Sequence, residues 1–501
     1  MISLGIDIGG TGCKCVAFSD SGKQLAVSYR EYPLSAGQVN LPAEMLASSV
    51  EEVIADCVSR IPDPGQVAAV TVSSFGESFV PVDRDGNALT DILLYFANTE
   101  SREFDELVQK VGEEKFMRVA RILPDASYSL SKILYTEKAA ARPVWKYLFI
   151  AGYIAYRLSG RAVTDVSLAC RSLLYDVEKR AWSQELIEAA GIREDQLPEV
   201  LPTGSVAGTL LPRVAEKTGL SPSTKVVIGA HDQIVNALGA GVTKVGDAVD
   251  ISGTCECLQP LYAAIPGDLG FQKENFACVP FLENRGYVTY AYNNSAGSVV
   301  RWYRDALAGF QAAEAKEKGV SVYDLFNAQC PERPTALMVL PFLQGMGGTP
   351  DVDASATGMI AGLTMTTRLP DIYRAILEGI TYEIRYNKER LSAFGLTFDR
   401  LLACGGGARS RAWLQIKADI LGVEIVQVKT EETGAMGSAI LGFAAVTGKS
   451  PFEIAKAFYD QGESFFPIPE NREIYEQRYQ MYKTLRGYYR QMRAQETGGK
   501  A

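Results

Sequence analysis

Histidine is almost missing from this sequence: His231 is the single one among 501 residues. A catalytic triad or a metal site built on imidazoles would have one ring to draw on, so neither is expected. No uninterrupted apolar run of about 18 residues occurs, and no membrane span is expected. Excess positive charge is missing as well. The net charge of -9 argues against a nucleic-acid-binding face, which needs a basic surface. The opening Met1-Ile2-Ser3-Leu4-Gly5-Ile6-Asp7 has neither the basic stretch nor the apolar core of a secretion signal. With nine cysteines scattered along such a chain, reduced thiols and a cytoplasmic location are expected.

What is there is ordinary globular material, 47% hydrophobic and 22% charged, which excludes disorder and coiled coil. A chain of 501 residues is too long for one core, so two to four domains are expected. Leu4, Ile6 and Ile8 alternate with Gly5 and Asp7 as in a strand. Gly9-Gly10-Thr11-Gly12 turns the chain, and Lys14-Cys15-Val16-Ala17-Phe18 returns as a second strand. Pro42 to Ile61 is helix-like, and Val67 to Val72 is β-rich. The middle is expected to be mainly helical, with apolar spacing through Trp145, Leu148, Ile154 and Leu158. Near the end, Leu401 to Cys404 forms a strand, Gly405-Gly406-Gly407 a tight turn and Ser410 to Leu421 a helix stopped by Gly422. A strand Val423 to Val428, a small-residue helix Gly434 to Gly448 and an outer helix Asn471 to Arg493 complete the second half.

A repeat organises these pieces. Asp7-Ile8-Gly9-Gly10-Thr11 recurs 243 residues later as Asp250-Ile251-Ser252-Gly253-Thr254, and each copy runs on into Cys-x-Cys. Two halves that open with the same strand–Gly–Thr–strand hairpin suggest duplication, with a ligand between them.

Four constellations carry candidate chemistry. Gly9-Gly10-Thr11-Gly12 has no Gly-Lys-Ser/Thr ending and no following helix, so it is neither a Walker loop nor a dinucleotide fingerprint. A glycine-rich hairpin bend can aim N–H groups at phosphate oxygens, with the Thr11 hydroxyl and the Lys14 ammonium adding donors. Asp7 beside it would repel phosphate unless a cation intervened, which implies Mg²⁺. The plainer alternative is a surface hairpin. Asp232 follows an apolar strand and precedes a Gly-rich helix, where a fixed carboxylate can take the proton of an alcohol; a structural helix cap is the alternative. Cys13/Cys15 and Cys255/Cys257 raise zinc, but structural zinc favours two to four residues between cysteines, so core-facing strand thiols are preferred. Gly405-Gly406-Gly407-Ala408-Arg409 lets backbone approach a flat ligand such as adenosine ahead of a helix, unless it is only a tight strand–helix turn.

Taken in order, Gly5-Ile6-Asp7, Trp182-Ser183, Leu197-Pro198, Gly229-Ala230-His231-Asp232-Gln233, Gly253-Thr254, Ala375 to Gly379, Gly405 to Ala408 and Ala435 to Ile440 resemble the FGGY carbohydrate kinases over nearly the whole chain. The resemblance implies an α/β, actin-like (hexokinase-type) ATPase fold: two ribonuclease-H-like domains, each around a mixed five-stranded sheet, with a central cleft. Residues 1–245 would be the sugar-binding domain with the catalytic Asp, and 246–501 the nucleotide-binding domain. Position by position it implies Asp7 at the metal, Gly10, Thr11 and Lys14 at the phosphates, and Asp232 as base with Gln233 at the substrate. Gly253 and Thr254 would hold the terminal phosphates, Gly297 would lie near the nucleotide, and Gly406, Gly407 and Ala408 would flank adenosine. The sugar pocket departs from the family pattern. Ser74-Phe75-Gly76-Glu77 stands where xylulokinases carry Gln-Met-His. Glu77 falls where glycerol kinases place a substrate-binding glutamate, yet no arginine precedes it, and Asn98 replaces a usual aspartate. The expectation is an enzyme that phosphorylates a small carbohydrate with ATP and Mg²⁺, first a ketopentose such as xylulose. Glycerol, erythritol, ribulose, gluconate or a deoxysugar is the alternative within that chemistry, and a catalytically silent ATP-binding scaffold the alternative outside it. A homodimer is a family-level expectation.

Overall fold

The first strand is buried along nearly its whole length, because both faces of its sheet are covered. In the computed structural model, which describes residues 1–35, 37–97, 102–140 and 142–496, β1 (Ile2–Ile8), β2 (Gly12–Ser19) and β3 (Gln24–Glu31) form an antiparallel meander. The helix α1 (Ala43–Ser59) leads to β4 (Val67–Ser74), which pairs parallel with β1. Before the next strands the chain passes several short helices, and its apolar stretch from Trp145 to Leu158 is divided: Lys146–Phe149 is a strand and Ile150–Ser159 is the helix α2, since an apolar run this short fits either state. Then β5 (Val206–Thr209) and β6 (Lys225–His231) complete the order β5-β6-β4-β1-β2-β3, with β6 parallel to β4. The sheet thus has six strands, one more than expected, the extra being the short antiparallel edge β5.

The helix α3 (Asp232–Gly239) follows β6 directly. The repeat then reappears as a hairpin, β7 (Ala248–Ser252) against β8 (Glu256–Tyr262), matching β1 against β2. Next come α4 (Gly297–Trp302), the long α5 (Leu369–Ala393) and β9 (Arg400–Cys404), parallel to β7 as β4 is to β1. Ser410 caps α6 (Arg411–Leu421) through the Trp413 N–H, and Gly422 ends it at φ 66°. The sheet continues through β10 (Glu424–Val428) to β11 (Gln461–Phe465). Short strands at Val279–Pro280, Tyr287–Val288 and Ala291–Asn293 raise it to eight. The tail helix α8 (Pro469–Glu496) is exposed outside, but its Tyr475, Tyr479, Tyr482 and Tyr489 are buried against the second half.

One element ties the halves together. The helix α7 (Thr433–Thr447) lies between β10 and β11 in the chain, yet packs on β1, β4 and α3 of the first sheet. At three points of that contact backbone meets backbone. A Cβ on Gly5 would fall 2.0 Å from the Ala435 carbonyl oxygen, and Cβ atoms on Gly239 and Gly437 would fall 2.0 Å and 1.9 Å from the Thr433 and Val235 carbonyl oxygens. The division expected at residue 245 falls in the turn between α3 and β7, and α7 crosses it.

Candidate active site

Where β6 ends, the chain turns straight into α3, so Asp232 stands in the first turn of a helix with the His231 side chain, not its own, accepting from the Gln233 N–H. A carboxylate there gains from the free N–H groups of the helix start. It opens on a cavity of about 370 Å³, also lined by Gly10, Glu77, His231 and Gln233 from the first half and by Tyr290 and Tyr292 from the second. Burial pushes the Asp232 carboxyl up to about 8, helped by the negative charges of Asp7 and Glu77. Its Oδ1 is buried without a hydrogen bond. Asp7 lies deeper in the same region; burial raises it to about 6 against the pull of Lys14.

Glu77 resolves the missing arginine of the sequence. Its partner is Arg171, whose Nε donates to Glu77 Oε1 at 2.5 Å from 94 residues away. The guanidinium is stacked between the rings of Tyr128 and Tyr290, 4.8 and 5.4 Å from their centroids. Burial works to raise the Glu77 carboxyl, and Arg171 with His231 more than offsets this, so it stays ionised below the usual range. Glu77 itself sits at φ 62°, a left-handed conformation uncommon for glutamate. Nothing local in the sequence announces Arg171 or the flanking tyrosines.

The second bend faces a separate cavity of about 500 Å³ that takes in Gly253, Thr254, Gly297, Gly406 and Gly407. Gly297 and Ser298 donate their N–H groups to the Gly253 and Thr254 carbonyls at 3.1 and 3.0 Å. A Cβ on Gly297 would lie 2.3 Å from the Gly253 oxygen, so this seam needs glycine. A third hollow of about 290 Å³ adjoins it through Gly406 and Arg409, and holds Ala408 and Lys14, whose Nζ is 2.6 Å from Glu432 Oε2. The cavities are neighbours. Cys255, one residue beyond Thr254, lies close to Tyr292, which lines the first cavity.

Other expected residues fall elsewhere. Ser74 is outside all three hollows: its hydroxyl is fully buried, donates to the Phe75 carbonyl and accepts from the Ala151 N–H at the start of α2. Its place is scaffold, because both of its hydrogen-bonding directions are already taken. Thr11 is exposed, and its carbonyl receives the Tyr32 N–H. Asn98 lies outside the described residues. Cys13, Cys15 and Cys257 are buried free thiols and Cys255 is half-buried. The repeated aspartates have diverged. Asp7 is half-buried with Lys14 and Glu432 as its charged neighbours, whereas Asp250 is fully buried against Lys417, which also binds Ser252 and Glu256.

Among the described residues no group of three or more His, Cys, Asp or Glu comes together as a metal cage. A magnesium ion does not need one, since it keeps waters and phosphate oxygens beside one or two carboxylates. Asp7, whose charge is felt at Asp232 and which pairs across the hairpin with Lys14, fits that donor pattern. No helix among the described residues is long and apolar enough to cross a membrane.

Comparison with known proteins agrees with this geometry. Residues 2–239 match the profile of the FGGY family of carbohydrate kinases, N-terminal domain, and residues 272–446 match its C-terminal domain. The chain is 26% identical over 497 residues to xylulose kinase of Bacillus subtilis, covering 96% of each protein. It is 28% identical over 485 residues to gluconokinase of Bacillus licheniformis, covering 94% of this chain and 93% of that one. Among solved structures it superposes on xylulose kinase from Rhodospirillum rubrum with a TM-score of 0.86 at 23% identity, covering 98% and 99% of the two chains. Gluconate kinase from Lactobacillus acidophilus gives 0.85 at 24% identity, covering 97% and 98%.

Proposed function

The chain belongs to the FGGY family of carbohydrate kinases, an actin-like ATPase fold that phosphorylates sugars with ATP, and from that premise we propose that Asp232 is the base acting on a neutral open-chain ketopentose such as xylulose. The observation that carries the reading is the cavity of Asp232, Gln233, Glu77 and Arg171 beside the glycine-lined hollow of Gly253, Gly297, Gly406 and Gly407. The sugar occupies the first and the nucleotide the second.

A primary hydroxyl is too weak an acid to ionise beforehand. Its proton passes to the Asp232 carboxylate as the new O–P bond forms and the bond from the γ-phosphorus to the bridging oxygen breaks, ADP leaving with that electron pair. Amides of the two bends and Lys14 receive phosphate oxygens. Asp7 would hold Mg²⁺, which, when bound, offsets the charge of the phosphates. Glu77 accepts hydrogen bonds from hydroxyls of the sugar, with Arg171 keeping it ionised. Arg171 has its carboxylate partner already, and Asp232 is negative when it acts as base, so a sugar acid would meet repulsion. This favours a ketose over gluconate. Residues 1–245 and 246–501, with α7 crossing between them, are the two working halves.

An ADP-release screen with Mg-ATP across pentuloses, polyols and sugar acids tests the substrate. A neutral ketose should give the highest kcat/KM, and a preference for an aldonate would overturn the charge argument. Asp232→Asn should lower kcat by about 10²–10⁴-fold with nucleotide binding retained. Unchanged turnover would remove Asp232 as base.

A further inference from the structure

The wall that the second half gives to the Asp232 cavity carries an amide tied at one end only. Asn275, just past the short helix Gly270–Lys273, lines that cavity together with Gly348. Its Nδ2 donates to the Gly348 carbonyl at 2.5 Å. A carbonyl oxygen only accepts, so the amide nitrogen is fixed on that side and Oδ1 is the end left over. Among the described residues nothing donates to Oδ1, and the atom is not closed off by protein.

The placement is firm. The backbone at Asn275 is left-handed, φ 60°, with its N–H on the Gln272 carbonyl at 2.8 Å. Two residues of α5 hold the segments on either side. Arg390 pairs with Glu274, its Nε donating to Oε2 at 2.9 Å, and Asn387 Oδ1 accepts from Thr349 Oγ1 at 2.8 Å. Thr349 Oγ1 also receives the Tyr292 N–H at 2.7 Å, and a Cβ on Gly348 would fall 2.7 Å from the Tyr292 ring. The residue type answers these demands. A left-handed turn suits glycine, asparagine or aspartate. Glycine would leave nothing in the cavity, and aspartate would set an oxygen against the Gly348 carbonyl. Asparagine serves the turn, the bond and the cavity at once.

We propose that Asn275 is a specificity-determining residue of the sugar site, its Oδ1 accepting a hydrogen bond from a substrate hydroxyl other than the one phosphorylated. This role rests on the Asp232 cavity being where the sugar binds. A hydroxyl has one proton, and the reacting hydroxyl gives its own to Asp232, so Asn275 takes a second hydroxyl. Glu77, the other acceptor, belongs to the first half. A neutral polyhydroxylated chain is thus held by acceptors from both halves. A methylene or a carbonyl group opposite Oδ1 would leave that oxygen without a donor, so a sugar lacking this one hydroxyl is a poor substrate however well the rest fits.

Steady-state kinetics on the full chain, with the best sugar of the screen and its monodeoxy analogues, tests this. With one analogue that keeps the phosphorylated hydroxyl, wild type should lose about 10- to 100-fold in kcat/KM. Asn275→Gly, which suits the left-handed turn, should lose about as much with the parent sugar and nothing further with that analogue. Its KM for ATP should stay within about 2-fold of wild type, because the lost contact is to sugar alone. The parent-to-analogue ratio is taken within each variant, so a smaller folded fraction cancels. An Asn275→Gly enzyme that discriminates every analogue as wild type does would overturn the role of Asn275. So would a loss that appears in the KM for ATP and not in that for sugar. Glu77→Gln measured alongside separates the two levels. If it raises the sugar KM while Asn275→Gly is silent, only the role of Asn275 has failed; if both are silent, the cavity is not the sugar site.

Discussion

The carboxylate proposed as base is kept in surroundings that cost the fold something. Asp232 has an ordinary value of 3.8 and is pushed up to about 8 by burial and by its acidic neighbours. The folded state therefore prefers the protonated carboxyl. This contribution is complete below pH 4 and is lost progressively as pH rises through 8, since the unfolded chain ionises first. Asp232→Asn keeps the shape without the charge. In the ligand-free protein its Tm should exceed that of wild type by roughly 2–4 °C at pH 8 and match it at pH 4, read by calorimetry. A gain of the same size at both pH values would point to packing, not ionisation. The same surroundings explain why activity and stability pull against each other at this one position.

At the scale of elements, the helix that carries Asp232 is placed in part by backbone against backbone. Gly437 of α7 meets the Val235 carbonyl of α3 so closely that a Cβ would stand 1.9 Å from the oxygen. Gly437→Ala must push the helices apart, and overpacking of this kind costs about 1–3 kcal/mol. The urea midpoint should drop, and kcat should fall with it because α3 carries Asp232; an unchanged midpoint would contradict the close crossing. Much at this scale was legible beforehand. The two Gly–Thr hairpins, the helix beginning about Ser410, its stop at Gly422 and the small-residue helix α7 each have a local signature of period, cap or composition. Arg171 was not legible, although the absence of an arginine beside Glu77 marked the gap, because the pair closes over 94 residues. Nor was the lock of Lys417 on Asp250, 167 residues apart, which makes the second copy of the aspartate structural. The strand Lys146–Phe149 was misread as helix because four apolar-rich residues carry no distinguishing period. Ser74 failed for a related reason: sequence gives its neighbours in the chain, not the Ala151 amide that occupies its hydroxyl.

At the scale of the molecule, the cavity at Asp232 is lined from both halves and the one at Gly253 and Gly407 by the second half alone, with Cys255 next to Thr254 and close to Tyr292 of the first. Transfer to a sugar in preference to water requires water to be shut out when both ligands are present. Small-angle scattering should show a smaller radius of gyration with sugar plus a non-hydrolysable ATP analogue than with either alone. Identical curves in all conditions would mean that closure, if any, is confined to loops. The placement of α7 has a further consequence. Although the repeat invites cutting the gene at its midpoint, residues 1–245 made alone would have a bare strip along β1 and β4 where Ala435 and its neighbours belong. The complementary fragment would carry the matching helix with nowhere to dock. Such pieces would come together again only as a plug returns to its socket, so this duplicated chain can no longer live as two independent halves.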